Sequence, residues 1–244
     1  MNRKNVWTIT TKDIGLFIKK KLILYSALIL PLALSIGLPM IAWYVTNNRN
    51  VTVQLLFPIF NAFSFFFLIL AAVIPTVIGS YSFVGEKTEK TLEPLLATPT
   101  TDDEILLGKS LAAFLPVIIM IFMGAVIFTV LMDIFTFSKV GYLYFPNWSF
   151  DIIILLNSPL ACIMSIEFSV LVSSRVNDVR SAQQLAALII IPLVALYLLT
   201  ELSVITLDVN TLLLIAGILA IIDLGLFFTS RAIFQREEIL TKWK

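Results

Sequence analysis

The 244-residue sequence has no histidine and a single cysteine, Cys162, and only 14% of its residues carry charge. Each scarcity excludes something. Without histidine the chain lacks the commonest general base and the commonest metal ligand, which argues against zinc-dependent intramembrane proteolysis and against Ser/His hydrolysis. One cysteine makes no internal disulfide. Soluble domains carry charge on about a quarter of their residues, so 14% charged beside 59% hydrophobic puts this chain in lipid. The net charge of +1 says little by itself, because in a membrane protein the placement of charge governs. The length allows one membrane domain and no sizeable soluble one.

What is present is long apolar stretches. A bilayer core of roughly 30 Å needs about 20 apolar residues of helix, since each buried backbone group must find its hydrogen bond within the segment. Six stretches qualify, at about 22–45, 55–84, 110–132, 151–173, 183–204 and 211–230. Each is apolar around its circumference. The expectation is an all-α membrane protein with a six-helix domain over 22–230, between a tail at 1–21 and a second at 231–244. The first stretch follows a basic run as a signal peptide does, but its apolar core is too long and no small-x-small cleavage site follows. The second runs 30 residues, roughly 45 Å of helix, and is expected to overshoot the bilayer. Seven prolines, at 31, 39, 58, 75, 116, 159 and 192, lie inside spans, where bends are expected.

Orientation follows from Lys and Arg in the short connections. Fifteen fall in the N-terminal tail, 85–109, 174–182 and the C-terminal tail, against Arg49 and Lys139 on the other side. Both termini are therefore expected in the cytoplasm, with the chain multi-pass in the cell membrane. In the N-terminal tail, Thr10 and Asp13 have capping-box-like spacing, with Ile14, Phe17, Ile18, Leu22 and Tyr25 on one face and Lys12, Lys19 and Lys20 elsewhere. That pattern predicts an interfacial (elbow) helix in contact with membrane lipids. The outer connection 133–150 is rich in aromatics, including Phe135, Phe137, Tyr142, Tyr144, Phe145, Trp148 and Phe150, and is expected to lie along the outer interface as an aromatic belt. Chance accounts for the sequons at Asn50 and Asn147.

The longest polar stretch, GEKTEKTLEPLLATPTTDDEILLGK at 85–109, carries six acids and three lysines. Within it Thr91-Leu92-Glu93-Pro94-Leu95-Leu96 reads as a short helix with Pro94 in its first turn, ended by Pro99. Thr101, Asp102, Asp103 and Glu104 then supply an N-cap and negative charge for a second helix entering the third span. Gly108-Lys109-Ser110 resembles the end of a phosphate-binding loop, but the glycine required five residues upstream is Asp103. No other stretch could cradle a triphosphate.

These residues resemble the type-2 membrane subunits, or permeases, of ATP-binding-cassette exporters. Glu86, Thr91, Leu92, Glu93, Leu95, Leu96, Pro99, Glu104, Gly108 and Lys109 match that family's segment between spans two and three. SSRVNDVRSAQQLAALIIIPL at 173–193 matches its turn entering the fifth span. Lys90 and the pair Asp102-Asp103 depart from the usual residues and leave the cognate partner's charge open. The resemblance implies a coupling helix near 91–98 that docks on a separate ATPase subunit through Glu86, Thr91, Leu92, Glu93, Leu95, Leu96, Pro99 and Glu104. It also implies a second permease subunit, identical or different, and a non-catalytic role for this chain. No cofactor is expected here; ATP and Mg belong to the ATPase, and nucleic acid is not an expected partner.

Glu167 and Asp223 each lie about seven residues from the predicted cytoplasmic end of a span. An ionised carboxylate there costs about 2.5 to 3.5 kcal/mol on insertion scales, so both are candidates to line a substrate path, or else to bond Ser or Thr on adjacent helices. The alternative function is a secondary transporter or channel with Glu167 and Asp223 as ion-coupling groups, although no inverted repeat is evident. A magnesium-dependent intramembrane transferase would need a second acidic cluster beside Asp102-Asp103.

Overall fold

The computed structural model describes residues 2–47, 53–85, 100–202 and 205–233. Among these the chain is helical with no strand: α1 (Arg3–Lys19), α2 (Lys21–Asn47), α3 (Val53–Ser80), α4 (Asp102–Val140), α5 (Trp148–Ile152), α6 (Ser158–Ser173), α7 (Val179–Ala186), α8 (Ile190–Glu201) and α9 (Val209–Ile233). A π-helical turn, Tyr81–Gly85, continues α3, and another, Ile153–Asn157, joins α5 to α6. A 3-10 turn, Ala187–Ile189, joins α7 to α8. Six continuous stretches are long and apolar enough to cross a membrane, in the order and close to the places the apolar runs predict.

Two of the irregular turns sit beside prolines. Pro159 opens α6 directly after the π turn, and Pro192 stands in the first turn of α8 after the 3-10 turn. A ring without an N–H breaks the regular ladder, and the backbone re-closes it with a different spacing. Pro31 and Pro39 in α2, Pro58 and Pro75 in α3 and Pro116 in α4 stay inside continuous helix.

The centre of the bundle is α3. Its span is 72% buried, against 17% for the span formed by α7 and α8. Around it pack α4, α6 and α8, with α2 against α4 and α9 against α6. Small residues let the helices approach. A Cβ on Gly79 would lie 3.0 Å from the Cβ of Ser169 on α6, and one on Gly124 of α4 would lie 2.8 Å from Oγ of Ser35 on α2. In lipid, where no hydrophobic force separates helix from solvent, such close contact drives association.

At the end of the bundle distant from α1, the structure differs from the expected aromatic belt. The predicted loop 133–150 is helical as far as Val140, and Gly141 ends α4 in the left-handed region (φ 82°), its N–H donating to Phe137 O at 2.9 Å. Glycine suits that backbone because it carries no Cβ. Phe145 and Phe150 fold inward, Phe145 edge-on to Phe128 and Phe150 stacked on it, while Tyr144 stacks on Phe57 at 5.0 Å. Asp133 Oδ1 accepts the N–H groups of Tyr144 and Phe145, both at 3.0 Å. These rings are core, and only Phe137, Tyr142 and Trp148 of that set are strongly exposed.

Candidate functional site

The polar residues of the fold gather where α1, the end of α3 and the start of α4 meet. Thr101 is the N-cap of α4; its Oγ1 accepts the Glu104 N–H at 3.3 Å, and Glu104 Oε2 accepts the Thr101 N–H at 3.3 Å. The run Thr-Asp-Asp-Glu predicts the N-cap; the return bond from Glu104 makes it a reciprocal capping box. The same carboxylate also accepts the Asn2 N–H and, at 2.9 Å, Asn5 Nδ2. Glu104 thus closes the first turn of α4 and binds the start of α1. It is buried, and it faces the chain's own backbone.

One turn further, α1 crosses α4 at Gly108. Any Cβ there would stand 2.8 Å from the Cβ of Ile9 and 3.1 Å from Val6 O. Thr10 Oγ1 donates at this crossing, 2.9 Å from Val6 O and 3.0 Å from Gly108 O. The next residue, Lys109, is fully buried. Its Nζ donates to Asp13 Oδ2 at 3.3 Å and to Ser82 O at 2.9 Å, and lies 5.5 Å from the Phe83 ring centroid. Ser82 Oγ donates to the same Asp13 oxygen at 3.1 Å. A buried ammonium is tolerable only when paired and bonded in this way. Lys109 therefore ties α1, the π turn after α3, and α4 at a single point.

Two further links hold this end. Arg231 of α9 forms a bidentate pair with Asp103, Nε to Oδ1 at 2.8 Å and Nη2 to Oδ2 at 2.7 Å. Asp103 is thereby occupied as an ion-pair partner. In the match at 173–193, Asp178 is the N-cap of α7, accepting the Ser181 N–H at 2.9 Å and the Ser181 hydroxyl at 3.1 Å. Those two bonds hold its carboxyl below the usual carboxylate range.

Of the residues matched to the coupling segment, Glu86, Thr91, Leu92, Glu93, Leu95, Leu96 and Pro99 lie outside the described residues. Gly85 and Thr100, which flank that segment, both adjoin the junction built on Lys109 and Glu104. The two acids of the spans lie elsewhere in the bundle. Glu167 of α6 and Asp223 of α9 are each at least nine-tenths buried, on helices that pack together and near enough to interact electrostatically. Among the described residues, Glu167 Oε2 and both carboxylate oxygens of Asp223 have no hydrogen-bond partner. Ser230 bonds the backbone carbonyl of Glu167, at 3.2 Å, and not its side chain. Packing through Ser or Thr hydroxyls therefore does not account for these oxygens.

The sequence pattern alone did not single out Ser82, Asn5 or Arg231, and it read Asp13 as part of a helix start. The spacing of Thr10 and Asp13 suggests a helix start, but α1 begins earlier, with Asn2 as N-cap, so both residues fall mid-helix and are buried. The buried stripe is Val6, Ile9, Thr10, Asp13 and Phe17, and Ile18 and Tyr25 of the expected apolar face are exposed. An acid at i+3 and i+4 from apolar neighbours was the available signal. Among the described residues no group of three His, Cys, Asp or Glu side chains could hold a metal ion.

Comparison with known proteins matches residues 7–234 to the family described as ABC-2 family transporter protein. No curated protein matches the sequence.

Proposed function

The chain belongs to the ABC-2 transporter family, and from that membership we propose that it is the membrane permease subunit of an exporter whose ATP hydrolysis is supplied by a separate ATPase. It is a multi-pass membrane protein with six apolar helices, and permeases of this family are typically non-catalytic. The proposed orientation places α1, the start of α4 and both termini in the cytoplasm, where fifteen of the seventeen lysines and arginines fall. In that orientation α1 is the elbow helix, and Trp7 and Ile18, exposed on one flank of it, meet lipid. Residues 91–98 form the coupling helix, with Leu92, Leu95 and Leu96 as anchors and Glu86 and Glu93 giving register and steering. Glu104 serves by fixing the base of that segment.

The single observation that carries this reading is the junction at Lys109. A coupling segment transmits motion only if its ends are held by something stiff. Here both ends adjoin a buried ion pair and capping box that bind α1, α3 and α4 together. A second permease subunit completes the assembly, and α8 and α2 carry the outward apolar faces, such as Ile191, Leu198, Ile29 and Met40, for lipid or for that partner. The test is co-purification with a candidate ABC ATPase subunit expressed together with this chain. Leu95→Asp and Glu93→Arg are expected to reduce recovered ATPase about tenfold; undiminished recovery and transport would remove the docking reading. The unpartnered Glu167 and Asp223 also favour a second reading, ion-coupled transport by this chain alone. It predicts solute movement driven by an ion gradient without ATP.

A further inference from the structure

A cavity of about 220 Å³ lies where α1, the end of α3 and α4 meet. Its floor is apolar, formed by Phe17, Ile78, Ala112 and Ala113, all buried. Its rim is cationic, since the side chains of Lys12 and Lys20 line it. The Lys12 side chain is 43% exposed, and Leu16, one turn along α1, is 42% exposed, so the mouth opens at the surface alongside α1. Lys20 is the C-cap of α1, where the chain passes into α2. Its Nζ donates to Tyr81 Oη on the π turn and lies 4.0 Å from that ring's centroid, which holds the ammonium at the rim. Asp13, the acid of the wall, is met by Lys109 Nζ at 3.3 Å and the Ser82 hydroxyl at 3.1 Å. The two lysines therefore leave the lining with an excess of positive charge.

We propose that this cavity binds an anionic phospholipid, with Lys12 and Lys20 on its phosphate and the start of an acyl chain against the apolar floor. Two ammonium groups above an apolar floor match the division of a lipid into charged head and apolar tail. The volume falls below the roughly 300–1,000 Å³ of sites that enclose a whole small molecule, so the occupant is part of something larger whose remainder stays outside. The bilayer holds that remainder for a lipid, whereas a free phosphate leaves the floor uncovered. A zwitterionic lipid brings its own cation toward the same two lysines and gains less. With α1 in the interface, the mouth stands at headgroup level, where anionic lipid draws basic side chains. A lipid so placed joins α1 to the π turn beside the Lys109 junction. The inference rests on the elbow-helix placement of α1 given above and not on the presence of an ATPase.

The test is native mass spectrometry of the full chain in detergent, titrated with dioleoyl phosphatidylglycerol or dioleoyl phosphatidylcholine. The first phosphatidylglycerol is expected to bind about tenfold or more tighter than phosphatidylcholine, and the double variant Lys12→Gln, Lys20→Gln is expected to abolish that preference. The matched double variant Lys19→Gln, Lys21→Gln removes equal charge from exposed residues outside the cavity and should keep it. Leu16→Glu, which sets a carboxylate at the mouth from an exposed position, should weaken phosphatidylglycerol comparably in protein that remains monodisperse. Glycerol 1-phosphate at millimolar concentration should displace nothing. Equal binding of the two lipids, equal loss in both double variants, wild-type preference in Leu16→Glu, or displacement by glycerol 1-phosphate overturns the proposal. Loss of ATPase co-purification with the lipid preference intact would instead count against the permease reading alone.

Discussion

Replacing Lys109 with Met leaves Asp13 buried beside Ser82 with, among the described residues, only the exposed Lys12, 3.9 Å from its Oδ1, as a cation, while replacing both members removes the buried pair. Breaking one side of a buried ion pair typically costs about 3–5 kcal/mol, whereas removing both is far milder. Lys109→Met is therefore expected to lower the thermal unfolding midpoint in detergent, and Asp13→Asn added to it is expected to restore much of the loss. A double variant as unstable as the single one would mean that Lys109 acts by packing alone. The Arg231–Asp103 pair is geometrically better but both partners are substantially exposed, and exposed pairs contribute little. Charge reversal at Asp103 should leave the unfolding midpoint essentially unchanged, which the same melting series checks.

At the scale of the helix, Gly108 and Gly225 offer a matched comparison. A Cβ at 108 meets Ile9 at 2.8 Å, whereas one at 225 meets nothing within 4 Å. Gly108→Val should force α1 off α4 at a cost of about 1–3 kcal/mol, exposing Arg3–Lys19 to limited proteolysis, while Gly225→Val should digest as the parent does. Equal digestion of the two would show that α1 is not held at this crossing. Much of this level was legible in the sequence. Thr101 to Glu104 announced both the start and the capping chemistry of α4, because a cap is a local event written in adjacent residues. The far end of α4 was not legible: residues 133–140 contain no breaker before Gly141, and their aromatics fit a belt as well as a helix. Whether Phe145 and Phe150 face lipid or core is decided by Phe67 and Phe128, rings far away in sequence. Asp13 was hidden for the same reason, since its partner stands 96 residues on.

For the molecule as a whole, six spans followed from hydropathy because lipid constrains every spanning segment in the same way, and α3 as the hub emerged only from packing. The outer helices leave most of their apolar surface uncovered by this chain, with only 17% of the α7–α8 span and 28% of the α2 and α9 spans buried. That is expected of helices that face lipid. Gly108-Lys109-Ser110 is helix pinned beneath α1 and not the end of a phosphate-binding loop. The most direct measurement is transport in proteoliposomes reconstituted with the chain alone, with its ATPase, and with its ATPase and ATP. The account predicts solute movement only when ATPase and ATP are both present; movement by the chain alone, at a rate indifferent to either, would contradict it.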